Sequence, residues 1–165
     1  MRTEHGVGAG HQPAFVVLDG VAWKSSYAPS LSPFEPRVVD VRPWPVRDPS
    51  GRCGPFLDWL KATHAGRPVL GLTSHPLTDE TGYPVRGASV FAAGVALVSS
   101  ADLGARVLAG VIRHEVAHAL GLGHCLDSAC ALSEWPHPLD PEERPSSLCA
   151  ACEDLWRLAA LGRGA

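Results

Sequence analysis

The feature that most constrains this chain is the motif HEVAHALGLGH, which runs from His114 to His124. His114 and His118 are four residues apart, just over one helical turn, so both side chains lie on one face of a predicted helix. Gly121 allows the chain to leave the helix and double back, which brings His124 towards the same point. Three neutral imidazoles with a fourth position left open are typical of a catalytic zinc. Glu115 follows the first histidine, where a general base for the attacking water is needed.

The alternative interpretation is three histidines that share no ligand. HExxH alone does occur by chance in helices, but the glycine and the third histidine at fixed offsets make coincidence a poor explanation. That alternative also leaves Gly121 and Glu115 unexplained. The motif therefore predicts a catalytic-type zinc site on His114, His118 and His124.

Four cysteines follow the histidine motif. Cys125 and Cys130 form a C-x4-C pair, and Cys149 and Cys152 form a C-x2-C pair. Residues 1–12 lack the apolar core of a signal peptide, so we expect a cytoplasmic chain, in which disulfides are uncommon. In that setting the pattern favours a four-thiolate zinc site.

Two other interpretations of the cysteines stay open. All four could be buried as small hydrophobic side chains, or Cys149 and Cys152 could form a redox pair. A redox CxxC normally follows a strand in a thioredoxin-like context, which this sequence lacks. The remaining cysteine, Cys53, has no partner that the sequence can name.

The length of 165 residues predicts one domain. We assign residues 1–13 to a flexible N-terminal lead-in and residues 14–165 to a single domain. Strands are predicted at Ala14–Trp23, Arg37–Val41 and Val69–Thr73, and on both sides of a tight turn or bulge at Gly94 within Ala88–Ser99. Helices are predicted at Pro55–His64, at Ala101–Leu120 with a cap at Ser99, Ser100 or Asp102, and up to Leu161 with a cap at Ser146 or Ser147. Ser74–Gly87 is predicted to be a loop, and Cys125–Leu148 an irregular lobe held by metal.

Charge and hydropathy exclude several kinds of partner. The net charge is −3 and no basic stripe is present, so we expect no nucleic-acid partner. The longest apolar runs, such as Val90–Val98, are too short to span a bilayer, so we expect no membrane partner. We expect the chain to be a monomer.

The histidine motif, the cysteine directly after it, and the C-x4-C and C-x2-C pairs together resemble the archaemetzincins, a family of metzincin-type zinc peptidases. The resemblance covers Val69–Leu161. It implies a compact α/β (α+β) domain with a mixed, twisted sheet, three main helices and a small zinc-held C-terminal lobe. It implies two zinc ions per chain, one catalytic and one structural. The implied residues are His114, His118 and His124 for the catalytic zinc, Glu115 for the general base, and Cys125, Cys130, Cys149 and Cys152 for the structural zinc.

The resemblance also implies an activity, the hydrolysis of peptide or protein substrates, with aminopeptidase-like selectivity. Glu115 would take a proton from the attacking water and pass it to the leaving amine. The substrate would lie extended along an edge strand within Ala88–Ser99.

One position departs from the family pattern. Where the family usually has a methionine beneath the catalytic zinc, this chain has Leu132. Leucine and methionine are close in volume, so we expect Leu132 to fill the same space beneath the catalytic zinc site. We also expect altered zinc affinity or activity. Leu132 favours an alternative function, a catalytically silent zinc-binding or peptide-binding module, whereas Glu115 favours an enzyme. The third hypothesis is a CxxC thiol oxidoreductase.

Overall fold

The computed structural model describes residues 15–19, 29, 31–34, 36–41, 46, 48–64, 67–134 and 145–162. The predicted lead-in, residues 1–13, lies outside these ranges. The strands are β1 (Phe15–Asp19), β2 (Pro36–Asp40), β3 (Val69–Thr73), β4 (Leu77–Thr78), β5 (Pro84–Val85), β6 (Gly87–Val90) and β7 (Val95–Ser99). The helices are α1 (Cys53–Thr63), α2 (Ala105–Ala119) and α3 (Ala150–Ala160).

The main sheet has five strands in the order β2-β1-β3-β7-β6. The first four are parallel to their neighbours, whereas β6 pairs antiparallel with β7 at one edge. Gly94, at φ +71°, lies in a tight turn between β6 and β7, which is the first of the two alternatives that the sequence left open. The mixed sheet and the three helices confirm the expected fold class.

Alternation along the strands builds two cores, one on each face of the sheet. In β7, Val95 and Leu97 face the cluster that contains Phe56 and Leu60 of α1. Ala96 and Val98 face the opposite cluster, which is built from α2 and α3. The sheet is thus covered on both sides, which explains why every residue of β3 and β7 is buried.

The segment that follows the histidine motif also packs on the second of these cores. Cys130, Leu132 and Trp156 are each fully buried within it. The indole N–H of Trp156 donates to the Ser32 carbonyl over 2.7 Å, and the Phe34 ring contacts the indole edge-on with centroids 5.1 Å apart. The described part of the predicted C-terminal lobe is therefore anchored by apolar packing, whereas the sequence predicted a lobe held by metal rather than by a core.

Two predictions of local structure are wrong. The predicted loop Ser74–Gly87 contains the short antiparallel pair β4 and β5. Its connection is fixed by the Asp79 carboxylate, which accepts hydrogen bonds from the backbone N–H groups of Thr81 and Tyr83. Strands of two residues are too short for a hydrophobic alternation, so no sequence signal marks them.

The predicted helix caps are also wrong. Helix α2 begins at Ala105 after Gly104, and α3 begins after Cys149, neither with a side-chain cap hydrogen bond. The Ser99 hydroxyl instead donates to the His75 carbonyl over 2.8 Å, and the Ser100 hydroxyl donates to the Thr73 carbonyl over 3.3 Å. These serines tie the ends of β3 and β7 together. No helix within the described ranges is long and apolar enough to cross a membrane.

Candidate metal centre

The end of α2 directs the histidine motif back on itself. The Gly121 N–H donates to the His118 carbonyl and the Leu122 N–H to the Ala117 carbonyl, both over 2.9 Å. This pair of bonds is the Schellman arrangement, which requires a residue with positive φ at the turn. Gly121 has φ +91°, as the sequence predicts, and the chain then returns His124 towards the helix.

The three histidines converge on one point. One ring nitrogen from each of His114, His118 and His124 lies within 4.8 Å of the others. The Nε2 atoms of His114 and His118 are 3.0 Å apart. Two imidazole nitrogens on one tetrahedral zinc, each at about 2.0–2.1 Å from the metal, are separated by about 3.3 Å. The arrangement therefore fits a zinc ion.

Backbone carbonyls orient two of these rings. The Ala131 carbonyl lies 2.8 Å from His114 Nδ1, and the Leu122 carbonyl lies 2.7 Å from His118 Nδ1. Donation from Nδ1 fixes the tautomer in which Nε2 carries the lone pair that a metal ion would need. Burial also lowers the pKa of His118, which favours the neutral, metal-binding form.

The four cysteines form a second cluster. The Sγ atoms of Cys125, Cys130, Cys149 and Cys152 lie within 4.8 Å of one another. Cys125 Sγ and Cys149 Sγ are 3.7 Å apart. That separation is far longer than a disulfide bond but close to the roughly 3.8 Å expected for two thiolates about 2.3 Å from one tetrahedral zinc. This donor set also fits zinc, whereas Cys53 belongs to neither cluster.

The position of Cys149 favours a thiolate. It precedes the first residue of α3, where the helix dipole stabilises negative charge. The backbone N–H of Cys152 is the main cause that lowers the pKa of the Cys149 thiol.

Burial instead raises the pKa of Cys53 to about 12, with the Glu115 and Glu80 carboxylates adding to the effect. Cys53 is thus a buried apolar side chain that stays protonated.

The two clusters touch at two places. His124 and Cys125 are adjacent in sequence. In addition, Ala131, the neighbour of Cys130, supplies the carbonyl that orients His114. The sequence reasoning missed this second contact, because a backbone carbonyl leaves no mark on residue identity.

The edge strand β6 lies against Glu115. The Ser89 hydroxyl donates a hydrogen bond of 3.0 Å to Glu115 Oε2. Sequence reasoning placed the candidate edge strand here but did not identify Ser89. No motif could have identified it, since the two residues are 26 positions apart.

Gly121→Ala is expected to lower the free energy of unfolding by about 1–2 kcal/mol, because an alanine at positive φ is strained. The change should also weaken zinc binding at the histidine site, since His124 follows the turn. Urea unfolding and zinc titration measure the two effects. Gly123→Ala is the matched control, because its added Cβ meets nothing within 4 Å. Equal effects from both variants would contradict the role of the turn.

Leu132 is fully buried in the core beside α2. We expect Leu132→Met to change the free energy of unfolding by less than about 1.5 kcal/mol, because the two side chains are similar in volume. Leu132→Ala should lower it by about 2–5 kcal/mol through the cavity that it leaves. Thermal or urea unfolding gives both values, with Leu126→Ala, at a fully exposed position, as the control. A Met variant as unstable as the Ala variant would show that the position requires leucine.

Solved structures of three other proteins share the fold of this chain. No protein-family model and no curated protein sequence matches the chain. An archaemetzincin from Methanopyrus kandleri is similar in structure, with TM-score 0.65 and 22% identity over 88% of this chain and 93% of that one. A zinc-dependent peptidase from Methanocorpusculum labreanum has TM-score 0.68 and 18% identity, over 89% of this chain and 99% of that one. An archaemetzincin from Archaeoglobus fulgidus, complexed with malonate, has TM-score 0.58 and 20% identity over 86% and 97%. The chain therefore has the archaemetzincin fold.

Proposed function

We propose that this chain is a zinc-dependent metallopeptidase that binds one catalytic and one structural zinc ion. The observation that carries this proposal is the convergence of three histidine nitrogens beside a glutamate that an edge strand holds. The histidines His114, His118 and His124 would hold the catalytic ion. Cys125, Cys130, Cys149 and Cys152 would hold the structural ion, which fits a reducing cytoplasm where thiols stay free. We assign the activity to a single domain, residues 14–165.

The proposed reaction is the hydrolysis of a peptide bond. A zinc ion held by the three histidines would make water a better nucleophile and would polarise the peptide carbonyl. Glu115 would accept the proton of that water and then donate it to the leaving amine. Glu115 follows His114 in α2, and the Ser89 hydroxyl of β6 holds its carboxylate, which supports this role. A protein that only bound a peptide would not need this carboxylate.

The geometry of β6 supports an extended substrate. The Ser99 N–H donates to the Arg86 carbonyl, so Arg86 and Ser99 form a hydrogen-bonded pair. Because such pairs alternate with non-hydrogen-bonded ones along an antiparallel ladder, Gly87 with Val98 and Ser89 with Ala96 are both non-hydrogen-bonded pairs. In this register the N–H and C=O groups of Gly87 and Ser89 point away from β7. No strand in the described ranges pairs with that side of β6. A peptide that added there would bond to the backbone next to Glu115.

A peptide-library assay with the zinc-loaded full chain tests the proposal. We expect cleavage that a chelator removes and added zinc restores, together with two zinc ions per chain by metal analysis. Peptides with free and with blocked N-termini distinguish cleavage from the N-terminus from cleavage within the peptide, since an aminopeptidase cleaves only peptides whose N-terminus is free. A protein with two zinc ions that cleaves nothing would overturn the proposal and favour the silent binding module.

A further inference from the structure

Two residues of β6 together fit the side chain of Glu115. Ser89 donates its hydroxyl hydrogen to Glu115 Oε2 over 3.0 Å. Gly87 leaves the space that this side chain fills, because a Cβ added there would lie 2.6 Å from Glu115 Cγ. The same Cβ would lie 2.9 Å from the Leu97 carbonyl oxygen, so it has no room to move aside. Gly87 and Ser89, both on β6, thus contact the side chain of Glu115, one by leaving space for it and the other by donating a hydrogen bond.

The register explains why both residues reach Glu115. Gly87 and Ser89 are two positions apart and so lie on the same face of β6. They pair with Val98 and Ala96, which belong to the core on the α2 side of the sheet. Ala88, between them, packs against the core on the opposite side. The strand therefore presents its glycine and its serine to α2 at the level of Glu115.

We propose that Ser89 is a positioning residue for Glu115 and that Gly87 provides the space that this position requires. The inference rests on the proposed function, in which Glu115 is the general base. A glutamate side chain has three rotatable bonds, and a hydrogen bond to one carboxylate oxygen restricts them. The edge strand that receives the substrate also sets the direction of the base.

The kinetic test compares Ser89→Ala with Ser89→Thr in the zinc-loaded full chain. Loss of a hydrogen bond to a charged group is expected to lower kcat by about 10-fold, with KM changed by less than about twofold. Threonine keeps the hydroxyl and suits a strand, so it should restore kcat. Ser74→Ala, at an exposed serine outside the site, is the matched control. Metal analysis must show two zinc ions in every variant.

A structural readout makes the test independent of activity. Crystal structures of the zinc-loaded wild type and of Ser89→Ala compare the position of the Glu115 carboxylate. We expect it beside Ser89 in the wild type and displaced in the variant. A carboxylate that does not move, or an active Ser89→Ala enzyme with unchanged kcat, overturns the inference. If the wild type cleaves no peptide but the carboxylate moves, the positioning role stands and the proposed function alone fails.

Discussion

Glu115→Gln is expected to lower kcat for peptide hydrolysis by about 10²- to 10⁴-fold, the usual contribution of a general acid–base group. Glutamine keeps the shape of the side chain and can still contact Ser89, but it accepts no proton from water. Both zinc ions should remain bound, since Glu115 is not among the clustered ligand atoms. The loss should appear in kcat rather than in KM. Steady-state kinetics on the best library peptide, with metal analysis of the same sample, measures this.

Asp58→Asn is the matched control for this variant. It also converts a carboxylate into an amide, but at an exposed position of α1, on the other side of the sheet. We expect its kcat to equal that of the wild type. A Glu115→Gln enzyme that retained most of its activity would remove Glu115 from the reaction. Equal losses in both variants would trace the effect to charge or stability instead.

Cys149→Ser is expected to remove the structural zinc and to weaken zinc binding at the histidines by about 10- to 100-fold. The second effect has the size seen when a residue that orients a metal ligand is lost. It follows from the two contacts between the clusters, the His124–Cys125 peptide and the Ala131 carbonyl on His114. Helix α3 should stay docked, because Trp156 and Ala160 are also buried in the apolar core. Chelator competition gives the zinc affinity, and circular dichroism reports the helix.

Cys53→Ala controls for the loss of a thiol. Cys53 lies in the other core, outside both clusters, so its variant should keep two zinc ions. If Cys149→Ser lost one zinc but bound the other with wild-type affinity, the two sites would be mechanically independent. If it unfolded, the core around Trp156 would be insufficient to hold α3 without metal.

The sequence predicted best those features that local chemistry alone determines. Strand β3 has the predicted bounds, and the turn after α2 has the positive φ that a glycine indicates. The histidine and cysteine sets are brought together as expected, although their roles stay a prediction. The predictions that were wrong concern features that depend on contacts between distant segments of the chain. Ser99 and Ser100 are good helix caps by residue type, but tertiary contacts with the end of β3 engage their hydroxyls instead.

The bond from Trp156 to Ser32 has a consequence for biosynthesis. It joins residues 124 positions apart, and contacts of such long range form late. Because a chain leaves the ribosome N-terminus first, Leu31 and Phe34 have no indole to pack against until α3 has been made. The cysteine cluster is likewise incomplete until Cys152 emerges. A zinc ion held by all four cysteines would therefore stabilise the fold only after nearly all of this sequence has been translated.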